Sequence, residues 1–107
     1  DVGLSIATED GSVGPRRRVT DALIQHLDQI GTASCRIVAC GPEPMMEAVS
    51  LIATERRIHC EVSLETPMAC GVGICFTCVA KVGCASDWDY KRTCVEGPIF
   101  DTNQIVW

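Results

Sequence analysis

Four cysteines in this chain stand at a spacing that could hold a metal centre. The run Cys70-Gly71-Val72-Gly73-Ile74-Cys75-Phe76-Thr77-Cys78 carries three thiols on one short loop, and Cys94 follows after fifteen intervening residues. This C-x4-C-x2-C…C pattern suits a [2Fe–2S] cluster. Thiolates bind iron tightly and offset its charge, leaving a centre that changes by one electron. Three ligands wrap the cluster from a single loop, and the fourth closes it from a distant segment. Gly71 and Gly73 let backbone pass close to inorganic sulfur, where side chains would clash, and let their N–H groups turn toward the sulfides. The bland alternative is a structural zinc site. Zinc favours two short C-x2-C hairpins, whereas here Cys94 stands alone and Cys70 lies further from its neighbour.

The chain holds eight cysteines in 107 residues. A disulfide scaffold is the third option for such a count. Metal-ligand spacing, an α/β-like first half and the absence of a secretion signal in Asp1-Val2-Gly3-Leu4 speak against it. The chain starts without Met and reads as a cytoplasmic piece of something larger. Cys35 and Cys60 fall in strand patterns and read as small buried hydrophobes. Cys84 reads as a loop thiol or a spare ligand. Cys40 ends an apolar strand just before Gly41-Pro42, where open α/β sheets bind ligands; its plain alternative is a buried strand-end cysteine. His26 and His59 have no nucleophile to serve. Arg16-Arg17-Arg18 is a solvated turn or an anion contact, and Met45 and Met46 read as core.

Composition sets the outer bounds. Hydrophobic residues make up 47% and the net charge is −5. That is rich enough for a folded core, and the acidic balance argues against nucleic acid or an anionic membrane as partner. No apolar run approaches the ~20 residues of a membrane span.

The elements that must position the cysteines follow from periodicity. Residues 3–7 read as a strand, with turn chemistry at Glu9-Asp10-Gly11-Ser12, where Gly11 is free to take positive φ. Val19, Leu23, Leu27 and Ile30 form a helical face that Gly31 closes. Cys35–Cys40 reads as a buried strand. A second helix starts near Pro44, and Cys60–Glu65 alternates as a half-exposed strand. The resulting β-α-β-α-β order predicts half of a doubly wound parallel sheet, without a Gly-x-Gly-x-x-Gly turn. Beyond Pro67 the pattern changes to a small cysteine-rich β module with a strand over Phe76–Val82 and a loop over Gly83–Asp89. Two extended pieces follow around Gly97-Pro98, then a last strand at Ile105-Val106-Trp107. The expected division is 1–66 and 67–107, with a metal centre supplying stability that the second part's small core lacks.

Several stretches resemble a known family. Cys40-Gly41-Pro42-Glu43-Pro44-Met45 is similar to the Cys-Gly-Pro motif of the ferredoxin–NADP⁺ reductase superfamily. Met68–Cys78 resembles the cluster loop of one branch. Tyr90-Lys91-Arg92-Thr93-Cys94-Val95-Glu96-Gly97-Pro98-Ile99-Phe100 resembles the electron-transfer subunit of class 1B dihydroorotate dehydrogenase. Thr8–Ser12, a basic stretch and Val19-Thr20-Asp21 fit the same family.

The resemblance implies a pyridine-nucleotide-binding half-domain over 1–66 and a [2Fe–2S] domain over 67–107. It assigns Cys70, Cys75, Cys78 and Cys94 as cluster ligands. It places Cys40, Gly41 and Pro42 beside the nicotinamide, and Glu9, Asp10 and Gly11 on the nucleotide side. It further implies a missing N-terminal FAD-binding barrel and a catalytic FMN-containing partner. Electrons from NADH would pass by way of FAD and the cluster to or from that FMN, where dihydroorotate and orotate interconvert in pyrimidine biosynthesis. FAD and NAD would belong to the full-length subunit rather than to this fragment, which is not expected to be active alone. Three other readings stand beside this one. Related subunits serve sulfide dehydrogenases, NADH-dependent ferredoxin–NADP⁺ oxidoreductases and some hydrogenases. A zinc-stabilised interaction module would have no redox role. A complete enzyme would need the nucleotide fold and acid–base pair that this chain lacks.

Overall fold

The structure is a computed structural model and describes residues 2–107. It contains helix α1 (Val19–Ile30), strand β1 (Arg36–Cys40), helix α2 (Glu43–Glu55) and strand β2 (His59–Ser63). Strands β3 (Val79–Cys84), β4 (Asp87–Arg92) and β5 (Ile99–Asp101) follow, and the short 3-10 turn Thr102–Gln104 comes last. These residues form two compact units, one ending at Cys35 and the other spanning Arg36–Trp107.

In the first unit α1 forms where the apolar period predicts it, with Leu27 buried. Asp21 caps its start by accepting from the Arg18 amide at 3.2 Å, and Gly31 ends it with an N–H donated to the Leu27 carbonyl at 3.0 Å. Gly11 takes φ +76° in the turn before the helix, as the sequence predicts. The strand expected over residues 3–7 does not form. Its two apolar residues, Leu4 and Ile6, are exposed, and pairing is limited to a single bridge between Thr8 and Arg16. A strand needs a neighbour to take up its amides and carbonyls, and residues 3–7 belong to neither sheet of the structure.

The second unit contains the predicted βαβ arrangement. β1 and β2 run parallel in register from Arg36 opposite His59 to Cys40 opposite Ser63, with α2 between them in the chain. β5 then joins the other edge of β2 antiparallel, with Phe100 opposite Val62, so the sheet order is β1-β2-β5. The sheet is therefore mixed, where a purely parallel half-sheet was expected. The third strand comes from the cysteine-rich stretch, and its pairing buries the Phe100 ring against Met46, Val62 and Leu64. Met46, Val62, Leu64 and Phe100 form the core. Ala39, Met45, Ala80, Val82, Ile105 and Trp107 pack against it. Cys60 is buried and Met46 is core, as their sequence patterns predict, whereas Cys35 is only half-buried and β1, expected as a buried strand, buries Ile37 alone.

A second, two-stranded sheet pairs β3 with β4 from Val79 opposite Arg92 to Cys84 opposite Asp87. The expected loop over Gly83–Asp89 is thus the end of β3, which holds Cys84, then a tight turn at Ala85-Ser86 and the start of β4. β4 reads Asp-Trp-Asp-Tyr-Lys-Arg, which places Trp88 and Tyr90 on one face and Asp87, Asp89 and Lys91 on the other. Its Trp88 and Tyr90 rings meet edge-on at 5.2 Å, and Lys81 Nζ lies 4.8 Å from the Trp88 ring centre. The extended piece expected at Cys94 is instead a turn, in which the Val95 and Glu96 amides both donate to the Arg92 carbonyl. The predicted last strand is reduced to a bridge between Ile105 and Val82, with Val106 N–H donating to Lys81 O at 3.0 Å. Among the described residues no helix is long and apolar enough to cross a membrane.

The two faces of the main sheet should respond differently to truncation. Phe100→Ala empties a core position and should lower unfolding free energy by about 3–5 kcal/mol. Val38→Ala, on the exposed face of β1, should change it by less than about 0.5 kcal/mol. Urea titration of both variants against the parent chain checks the contrast.

Candidate metal centre

The four predicted cluster cysteines are gathered by two short constructions. On the loop, the Cys70 sulfur accepts the Val72 amide at 3.4 Å. Amides at Val72 and Ile74, then the thiol and amide of Cys75, hold the Cys70 thiol down to about 6. Further on, the Cys78 and Cys94 sulfurs lie 2.9 Å apart. The hydrogen bond between these two sulfurs makes the first proton of the pair easy to lose and the second hard to lose. Cys78 is buried, Cys70 is half-buried, and Cys75 and Cys94 are exposed. The eight cysteines form no disulfide with one another.

The thiols therefore stand as two pairs, Cys70 with Cys75 and Cys78 with Cys94. Among the described residues no group of three or more His, Cys, Asp or Glu side chains is already gathered closely enough to hold a metal ion. A [2Fe–2S] cluster takes two thiolates on each iron, so paired thiols fit its demand. Four donors around one point would fit zinc.

Local structure explains how the pairs form. The Cys78 carbonyl accepts from the Thr93 amide at 2.8 Å and the Thr93 hydroxyl at 3.3 Å, fixing Cys94 beside it. The buried Thr93 hydroxyl also bonds Thr66 Oγ1, which ties the end of the cysteine-rich stretch to the segment after β2. Gly71 and Gly73 both adopt left-handed φ, at +68° and +81°. A Cβ on Gly73 would lie 2.6 Å from the Val95 side chain, so the loop packs directly on the Cys94 turn. Phe76 also has left-handed φ, at +55°, a conformation that costs a residue with a side chain about 1–2 kcal/mol. Sequence reasoning missed Thr93, Arg92 and the conformation of Phe76. Their roles come from contacts across the hairpin, which leave no periodic signal.

Cys40 is exposed at the end of β1. Gly41 and Pro42 line a hollow of about 360 Å³ with Glu43, Met46, Leu64, Glu65 and Thr66. In the first unit, Glu9 lines a hollow of about 410 Å³ with Arg16, Arg17, Arg18 and Asp21. Beside Glu9, the Asp10 carboxylate accepts the Ser12 amide at 2.9 Å. That bond and the Ser12 hydroxyl keep it below the usual carboxylate range.

Cysteines outside the loop should separate by environment. Burial pushes the Cys60 thiol up, whereas hydrogen bonding with the Ser86 hydroxyl and the Asp87 backbone brings the exposed Cys84 thiol down. A lower thiol pKa gives more thiolate at a given pH. At pH 7.5, iodoacetamide should therefore modify Cys84 well before Cys60 in the folded chain, as read by time-resolved peptide mapping. Equal rates would contradict the burial difference.

Residues 65–106 match the family model described as the iron–sulfur cluster binding domain of dihydroorotate dehydrogenase B. The chain is 41% identical over 95% of its length to the dihydroorotate dehydrogenase B (NAD(+)) electron transfer subunit of Desulforamulus reducens. It is 42% identical over 94% of its length to that of Geobacillus thermodenitrificans. It spans 38% and 37% of these two relatives, somewhat over a third of each. Among solved structures, a chain of the NADH-dependent reduced ferredoxin-NADP oxidoreductase matches with a TM-score of 0.67 and 32% identity, covering 92% of this chain and 33% of that one. The chain is therefore related, over nearly its whole length, to the electron transfer subunits of dihydroorotate dehydrogenase B, and residues 65–106 carry the signature of that family's iron–sulfur cluster binding domain.

Proposed function

We propose that this chain is the cluster-bearing part of an electron-transfer subunit. In this reading Cys70, Cys75, Cys78 and Cys94 hold a [2Fe–2S] cluster within residues 67–107. The observation that carries it is the arrangement of these cysteines as two thiol pairs, with the Cys78 and Cys94 sulfurs 2.9 Å apart. When bound, the cluster supplies a one-electron couple, the natural link between flavins that each handle two electrons. The protein's own share is positioning. Thr93 fixes the fourth ligand, and the left-handed glycines open the loop. Met68, Ile74 and Phe76 stand exposed around it and offer apolar contact to a catalytic subunit.

The partner in this proposal is an FMN-containing dihydroorotate dehydrogenase subunit, acting in the cytoplasm in pyrimidine biosynthesis. The support is the electron transfer subunit named in the relatives. Residues 1–66 are read as part of a pyridine-nucleotide domain whose FAD-binding barrel lies elsewhere in the subunit. Cys40, Gly41 and Pro42 would face the nicotinamide, and Glu9, Asp10 and Gly11 the rest of the nucleotide. The hollow at the C-terminal end of β1 and β2 supports the first placement, because ligands of open α/β sheets bind there. A second reading, a subunit of a ferredoxin–NADP oxidoreductase, is favoured by the structural neighbour of that type.

Anaerobic purification with iron, sulfide and zinc assay tests the cluster. The expected result is about two iron and two sulfide per chain, with a rhombic EPR signal after dithionite reduction. Cys94→Ser should lower the bound iron and change that signal. One zinc per chain, no colour and no reconstitution with iron and sulfide would leave the zinc-stabilised module as the reading. Co-purification with an FMN-containing dihydroorotate dehydrogenase subunit, weakened by Ile74→Ala, would separate the two electron-transfer readings.

A further inference from the structure

Arg92 closes β4 two residues before Cys94, and its side chain reaches back to the three-cysteine loop. One guanidinium nitrogen donates to the Gly73 carbonyl at 2.7 Å. The guanidinium carbon lies 4.6 Å from the centre of the Phe76 ring, within the range of a cation–π contact. The two contacts bracket the loop: Gly73 lies between Cys70 and Cys75, and Phe76 between Cys75 and Cys78. Each cluster cysteine is thus within three residues of Arg92 itself or of a residue it touches.

The arginine is held in place from behind. Its amide donates to the Glu96 carboxylate at 2.7 Å, and its Nε lies 3.8 Å from the same oxygen. Its carbonyl accepts the Glu96 amide at 2.8 Å. Its strand partner is Val79, the residue after Cys78. The planar fork of an arginine can bond a carbonyl and cover a ring face at once, which the point charge of a lysine cannot reproduce. Phe76 gains most from this, because its left-handed backbone needs an outside contact to persist.

We propose that Arg92 is a positioning residue for the metal centre: it clamps the Cys70–Cys78 loop onto the Cys94 turn and sets a fixed positive charge against that loop. The inference rests on the [2Fe–2S] reading above for its redox consequence, but the clamp itself does not. A fixed positive charge favours the reduced cluster, which carries one more electron than the oxidised form. Removing the charge should therefore lower the midpoint potential.

The test uses Arg92→Gln and Arg92→Lys in the purified chain, with Phe76→Leu as a variant that leaves β4 untouched. In the metal-free chain, amide hydrogen exchange over residues 71–78 should speed up in all three, while β1 and β2 keep the parent pattern. Unchanged exchange in that loop would overturn the clamp whether or not the chain binds iron. In the iron-loaded chain, release to a chelator should be roughly 10-fold faster or more in both Arg92 variants, the size expected for an outer contact of a metal site. An EPR-monitored redox titration should place Arg92→Gln below the parent potential and Arg92→Lys close to it. Equal potentials in parent and Arg92→Gln would overturn the charge role. A parent chain that takes up no iron would sink the cluster reading and with it the charge role, and the exchange measurement would still decide the clamp.

Discussion

Fifteen residues separate Cys78 from Cys94 in the chain, and the Cys78 carbonyl closes that distance by accepting from both the amide and the hydroxyl of Thr93. The rest of the centre depends on this junction. It forms where β3 begins and just after β4 ends, so the hairpin between them is the device that returns the chain to its starting point. Each added pair along the hairpin narrows where residue 94 can lie. A flexible loop of the same length would have to be ordered at metal binding, at a conformational cost of about 1–2 kcal/mol per residue. Here the hairpin meets that cost before any ligand arrives.

Bringing thiols together has an electrostatic consequence. The chain is acidic, with a net charge of −5, and four thiolates on one small surface would repel one another. The structure meets this in two ways. Amides at Val72 and Ile74 turn toward Cys70 and favour its thiolate. At the other pair, the hydrogen bond between the sulfurs lowers the Cys78 thiol and raises the Cys94 thiol, so one proton is held more tightly than the other. Cations displace that proton. Metal uptake by such a pair is therefore coupled to proton release, as thiolate sites generally require.

The C-x4-C-x2-C…C spacing of Cys70, Cys75, Cys78 and Cys94 is legible in the sequence itself, and the structure adds that the Cys78 and Cys94 sulfurs meet. The helices were legible from their apolar period, which places Leu27 and Met46 where they are buried, although Val19 and Ile30 of the expected α1 face stay exposed. Other features depend on partners distant in the chain. Residues 3–7 have strand-like apolar spacing, yet a strand exists only where an edge receives it. β4 has no aliphatic run to announce it: its one aromatic face, Trp88 and Tyr90, is partly exposed and its other residues are charged. Phe76 is the sharpest case. Nothing in an aromatic residue predicts left-handed backbone, and it is the Arg92 guanidinium on its ring that supplies a reason.

β5 carries the consequence further. It pairs with β2, setting Phe100 against Val62, while the Leu64 amide donates to the Pro98 carbonyl at 2.9 Å. The turn bearing Cys94 is thus strung between two anchored strands, β4 on the hairpin and β5 on the main sheet. The core contains Met46, Val62 and Leu64 from before Pro67 and Phe100 from after it, with Ala80 and Val82 of β3 packed against them. A small cysteine-rich stretch would have too little apolar surface to hold such a turn by itself. By lending Phe100 to the βαβ sheet it gains a rigid support for the Cys94 turn, and the position of Cys94 becomes a property of the sheet as much as of the turn that bears it.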